Sequence, residues 1–139
     1  MSDEYKAKWE LAVEAWMNGN LDALDDVYSA NVAYHLPPFP DMDLAGLKEF
    51  IVGFRMAFPD FQVVTDEHIV EGDSTAHRWH ASGTFTGESP LLPVSPTNQP
   101  STASGSLVCH WAEGKMIEVW HNGDWLGWLQ RAGVIPPLG

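Results

Sequence analysis

The run Ser106-Leu107-Val108-Cys109-His110-Trp111-Ala112-Glu113-Gly114-Lys115-Met116-Ile117-Glu118-Val119-Trp120-His121-Asn122-Gly123-Asp124 alternates, turns on Glu-Gly-Lys and alternates again. It reads as two antiparallel strands joined by a tight turn. His110 ends the first strand, and Asp124 follows the second, where the pattern becomes helical. On that reading an imidazole and a carboxylate reach one open end of a curved sheet, a pairing suited to proton transfer.

Two further strands precede this hairpin, over 61–71 and 74–86, with Gly72-Asp73 as their turn; the hairpin's own strands run over 102–111 and 115–122. The first half of the chain is helical in pattern. Over 3–18, Trp9, Val13, Trp16 and Met17 share one face, and Gly19 suits a stop. A short second helix is expected over 21–28 with Asn20 as its cap. Residues 31–36 alternate as a short strand that Pro37-Pro38 ends. The clearest amphipathic helix is 44–58, with Leu47, Phe50, Ile51, Phe54 and Phe58 on one side. A last short helix spans 124–132, and a Pro-rich tail follows.

Residues 87–101 lack any period and carry four prolines, as a long hairpin connection would. Connections of this length are often lids or rims over a site. Helices first and an antiparallel meander after them make an α+β arrangement. We expect one domain over residues 1–139, a length that buries a substantial core.

Composition narrows the function. Hydrophobic residues make up 45% of the chain and include seven Trp, which excludes a disordered chain. No apolar run approaches the roughly 20 residues that cross a bilayer. The first residues lack the basic and apolar regions of a secretory signal. The single cysteine, Cys109, excludes an internal disulfide and suits a reducing cytoplasm. The formal charge of −12 opposes phosphate backbones and anionic membranes, so nucleic acid and membrane partners are not expected. A small apolar molecule fits better. The six His show no metal-ligand spacing and no Gly-rich phosphate loop follows a strand, so neither metal nor cofactor is expected.

Several segments resemble the SnoaL-like polyketide cyclase family. Gly46-Leu47-Lys48-Glu49-Phe50 with Phe58-Pro59-Asp60-Phe61 follows its G-x-x-x-F … F-P-D segment. Arg78-Trp79-His80-Ala81-Ser82-Gly83-Thr84-Phe85-Thr86-Gly87 follows R-W-x-x-x-G-T-x-T-G, with Phe85 where a histidine is usual. Pro96-Thr97, the run from Glu113 to Trp120, and Asp124 with Leu126-Gly127 and Gln130 also match. The resemblance implies the NTF2-like cone: a curved antiparallel sheet wrapped over helices around a deep apolar pocket. It also implies a homodimer formed through the sheet.

In the cyclases that this chain resembles, the aspartate at the position of Asp124 is the general acid/base. A histidine fourteen residues earlier, here His110, orients it or binds the substrate carbonyl. Such a carboxylate works near neutrality if an apolar pocket raises its pKa. The plainer account of Asp124 is a helix cap, and of His110 a surface histidine at a strand end. His35 lies near the family's polar substrate contact. Arg78 and His80 share one strand face, and Glu118, Trp120 and Asn122 share another, nominally in phase with Asp124. One of these faces is expected to line the cavity, with Trp120 and Glu118 against substrate. A cross-sheet Arg78–Glu118 ion pair is the alternative. His77 and His121 have the opposite parity and are expected to point outward. Val108 replaces a polar contact of the antibiotic cyclases, which argues against their substrates.

Three functions are compatible with this pattern. The first is a cofactor-independent cyclase-type enzyme, a lyase or isomerase performing aldol closure or enolisation on a small-to-medium apolar carbonyl compound. The second is epoxide opening through an Asp-Arg-Asp set that includes Arg78. The third is a carrier of apolar ligands with no chemistry.

Overall fold

The computed structural model describes residues 2–138. Helix α1 (Ser2–Asn18) leads through a 3₁₀ turn at Leu21–Asp26 into strand β1 (Tyr28–His35), and α2 (Leu44–Ala57) follows. Strands β2 (Gln62–Glu71), β3 (Ser74–Thr84), β4 (Pro100–Ala112) and β5 (Lys115–Gly123) form the meander, and α3 (Trp125–Arg131) ends it. The sheet order is β1-β5-β4-β3-β2. All neighbours are antiparallel except β1 and β5, which run parallel.

The segment expected as a second helix is only the 3₁₀ turn, and Asn20 makes no side-chain cap. Asp22, Asp25 and Asp26 favour turns over a helix interior. Val27 and Tyr28 then favour extended chain, so β1 begins three residues early. Its first residue already pairs with Met116 of β5.

Odd-numbered residues of β3 and β4 face the helices. Thr75, His77, Trp79, Ala81, Leu107, Cys109 and Trp111 are buried, whereas their even-numbered neighbours are mostly exposed. Val119 and His121 continue this inner face on β5. Trp79 of β3 faces Gly105 of β4, and Gly105 faces Gly123 of β5. A Cβ on Gly105 would sit 2.5 Å from the Trp79 ring and 2.6 Å from the Asn122 carbonyl. Glycine therefore lets an indole lie flat on the backbone at the centre of the concave face.

Strand β5 stops at Gly123, so β4 has an open edge from Pro100 to Ser104. Helix α3 covers it. The Asp124 amide donates to the Ser104 carbonyl at 3.1 Å, and the Arg131 guanidinium donates to the Thr102 carbonyl at 2.6 and 2.8 Å. The Ser101 hydroxyl returns a bond to the Trp128 carbonyl at 2.7 Å.

The long connection between β3 and β4 lies against α2. Ser89 Oγ donates to the Gly53 carbonyl at 2.6 Å, and Leu91 packs on Gly53. None of its residues reaches the cavity under the sheet.

Candidate active site

The concave face, α1, α2 and α3 enclose a cavity of about 50 Å³. Trp9 and Trp16 of α1, Phe54 of α2, Trp79 of β3, and Trp125 and Trp128 of α3 form most of its wall. Besides the indole N–H groups its polar side chains are few: Tyr28, Tyr34, His121 and, at the rim, Asp124.

Tyr34 and His121 form a hydrogen-bonded pair on adjacent strands, Oη to Nδ1 at 2.7 Å. Tyr34 is fully buried and His121 is 6% exposed. Burial pushes the imidazole down to about 3 and the phenol well above its ordinary value, so both are neutral across the physiological range. The other ring nitrogen, Nε2, is buried and has no partner within the protein. The ring lies among Tyr34, Trp79, Trp125 and Trp16, with centroids 5.8, 5.6, 6.4 and 6.1 Å away. The indole N–H groups of Trp79, Trp125 and Trp128 are likewise buried and unpartnered. Buried indoles usually find an acceptor; these three, like His121, belong to residues that line the cavity.

Asp124 stands at the cavity rim with its side chain about half exposed. It is the N-cap of α3: Oδ1 accepts from the Gly127 amide at 2.9 Å, and Oδ2 accepts from Arg131 Nη2 at 3.0 Å. The Gly127 amide and then Arg131 hold its carboxyl below the usual carboxylate value. The raised pKa expected of a buried general base is therefore absent, because this carboxylate is half in water and doubly bonded. Gly127 is required here, since a Cβ would come within 2.2 Å of Oδ2.

The expected His110–Asp124 pair is not formed. Asp124 docks at Ser104, six residues along β4 from His110, or roughly 20 Å at strand rise. His110 is also on the opposite, outer face, beside Glu118 and against Trp120 at 4.9 Å between centroids. His35, Glu118 and Trp120 lie on that outer face too. His35 bridges Glu118 at 2.8 Å and Asp41 at 2.9 Å, and these carboxylates, Glu118 first, raise its pKa. Arg78 pairs with Glu67 at 2.7 Å and reaches Asp66 at 3.5 Å, so neither the Arg78–Glu118 pair nor an Asp-Arg-Asp set in the cavity exists. His35, His110, Arg78, Glu118 and Trp120 thus sit on the sheet's convex side, away from the cavity.

His77 and His121, expected to point outward, are both buried. His77 stacks on Trp9 at 3.8 Å, and its ring nitrogens meet Thr75 Oγ1 at 2.9 Å and His68 Nδ1 at 3.1 Å. Strand phase accounts for the difference. Asp124 lies beyond the end of β5, so its position does not carry the phase of Trp120 and Asn122. The apolar positions Trp79, Ala81, Leu107 and Trp111 carry the phase, and they put His121 inside.

Among the described residues no group of three or more His, Cys, Asp or Glu is placed to hold a metal ion. No helix among them is long and apolar enough to cross a membrane.

A cone of curved sheet over helices, with an aromatic cavity between them, defines an NTF2-like fold. The sequence matches the SnoaL-like polyketide cyclase family over residues 9–131, and the chain belongs to that family. Among solved structures it is similar to TsrD of Streptomyces laurentii, with a TM-score of 0.84 and 20% identity over 96% of this chain and 97% of that one. It is also similar to AclR of Streptomyces galilaeus, with a TM-score of 0.82 and 24% identity over 100% and 87%. A SnoaL-like polyketide cyclase of Agrobacterium tumefaciens aligns at a TM-score of 0.70, with 17% identity over 88% and 93%. At these identities the likeness is one of fold. A search of the curated proteins gives no match.

Proposed function

We propose that this chain is a cofactor-independent acid–base enzyme of the cyclase type. It would close a ring by an aldol-type step, or enolise, a small apolar carbonyl compound. The observation that carries the reading is Asp124, an ionised carboxylate at the rim of an otherwise aromatic cavity. Asp124 takes the proton from the carbon next to the carbonyl and returns one to the product oxygen or carbon. A low pKa makes it a weak base at rest. An apolar substrate that covers the rim displaces water from the carboxylate and raises its basicity. His110 has no part in this chemistry, because it is on the other side of the sheet.

The test is deuterium incorporation into cyclohexanone in D₂O. Catalysed exchange that Asp124→Asn abolishes is the expected result. Exchange at the wild-type rate in that variant sinks the reading. Double occupation of the carboxylate by Gly127 and Arg131 favours the second reading, a carrier of apolar ligands. A carrier binds the ketone without exchanging it.

The protein would work in the cytoplasm as a homodimer. Ile69, Ala76, Val108 and Trp120 line up in register across β2 to β5 on the outer face, with Ile69 55% and Val108 44% exposed. A second copy of the sheet is the occupant that this apolar row supports. Sedimentation velocity checks it: Val108→Lys with Ile69→Lys should sediment as a monomer.

A further inference from the structure

We infer that the floor of the cavity is a cradle for one acceptor oxygen, with His121 Nε2–H as its central donor and the indole N–H groups of Trp79 and Trp125 beside it. The ligand is a ketone or aldehyde of one small ring or an equivalent short chain, held by its carbonyl oxygen. The inference builds on the acid–base reading only in taking that oxygen as the one on which charge develops.

Three observations carry it. The first is the tautomer of His121. Tyr34 Oη has no other partner among the side chains and lies 2.7 Å from Nδ1. A phenol is a far stronger donor than a neutral imidazole, so the hydroxyl donates and Nδ1 accepts. The ring proton is left on Nε2, a buried atom with nothing to receive it, in a residue that lines the cavity.

The second is proximity. Trp79 and Trp125 both pack against Gly123, where a Cβ would lie 3.1 Å from the Trp79 ring and 3.2 Å from Trp125 Nε1, and their ring centroids are 5.6 and 6.4 Å from that of His121. Both indoles are at least nine-tenths buried, and both N–H groups lack a partner. A buried donor without an acceptor is left desolvated and uncompensated. A carbonyl oxygen with two lone pairs compensates two of the three at once. Such preformed donors also stabilise the charge of an enolate as it develops.

The third is size. A cavity of about 50 Å³ with walls of Trp16, Phe54 and Trp128 has no room for a fused-ring system. A single small ring enters only by displacing these wall side chains.

The test uses cyclohexanone labelled with ¹³C at the carbonyl, observed bound to the full chain, with methylcyclohexane as the isostere lacking oxygen. Donors to the oxygen deshield the carbonyl carbon. The bound resonance is expected at or downfield of its position in water. His121→Phe should move it upfield towards its position in a hydrocarbon and weaken binding about tenfold. Tyr34→Phe, which keeps the aromatic packing, should move it in the same direction. A bound wild-type resonance already at the hydrocarbon position overturns the inference. So does a resonance that ignores both variants, or a ketone that fails to bind. A downfield resonance without deuterium exchange sinks the catalytic reading and leaves the cradle standing; exchange with a hydrocarbon-like resonance does the reverse.

Discussion

Burial pushes His77 and His121 down to about 3, against about 6.5 for an unfolded histidine. Between those values the unfolded chain binds protons that the folded chain refuses, so stability rises with pH. The contribution is whole above about pH 6.5 and drains away as the pH falls towards 3. At pH 4.5 each imidazole removes about 2–3 kcal/mol, at 1.36 kcal/mol per unit. Urea titrations at pH 7 and 4.5 should show this drop, and His77→Phe and His121→Phe should each flatten it. His35 behaves oppositely, because its carboxylate partners raise its pKa. Its contribution is present below pH 6.5 and is lost as the pH climbs through the folded value; an NMR titration should place its midpoint above 6.5, and Glu118→Gln should lower it. Gly127→Ala forces the Asp124 carboxylate out of its cap and should cost about 1–2 kcal/mol by denaturation. Asp124→Asn keeps a good capping side chain and should cost less.

Helix α3 is short, and its value lies in what it seals. It takes the carbonyls of Ser104 and Thr102 on the open edge of β4, and it places Trp125 and Trp128 in the cavity wall. Arg131→Ala should lower hydrogen-exchange protection in α3 and at 100–104 while β2 and β3 keep theirs. Trp128→Ala empties a buried site and should cost about 3–5 kcal/mol. The long β3–β4 connection is tied to α2 through Ser89, so Ser89→Ala should loosen it without changing ketone affinity. The elements themselves were legible in the sequence: period, turn residues and prolines place every strand within a few residues. The rim position of Asp124 could also be expected from its motif. The Tyr34–His121 pair could not, because a contact between residues 87 apart depends on which strands are neighbours. The parallel docking of β1 against β5 leaves no local mark. The strand phase, by contrast, is legible in Trp79, Leu107 and Trp111, whose apolar side chains mark the inner face.

At the scale of the molecule, a net charge of −12 disfavours polyanions, and the apolar row on the convex face is where a second copy would sit. Raising salt should therefore tighten self-association by screening like charges. The parallel β1–β5 seam has a separate consequence, for the order in which the chain assembles. The meander of β2 to β5 closes through two short hairpins and one fifteen-residue connection, whereas joining β1 to β5 brings together residues such as Tyr34 and Val119 across most of the chain. Loop closure of that length is slow, and contacts of high sequence separation set the folding rate. Tyr34 and His121 meet only across this seam. A refolding chain should then regain its hairpins first and its ketone affinity last, and residues up to Trp128 must have left the ribosome before the cavity can exist.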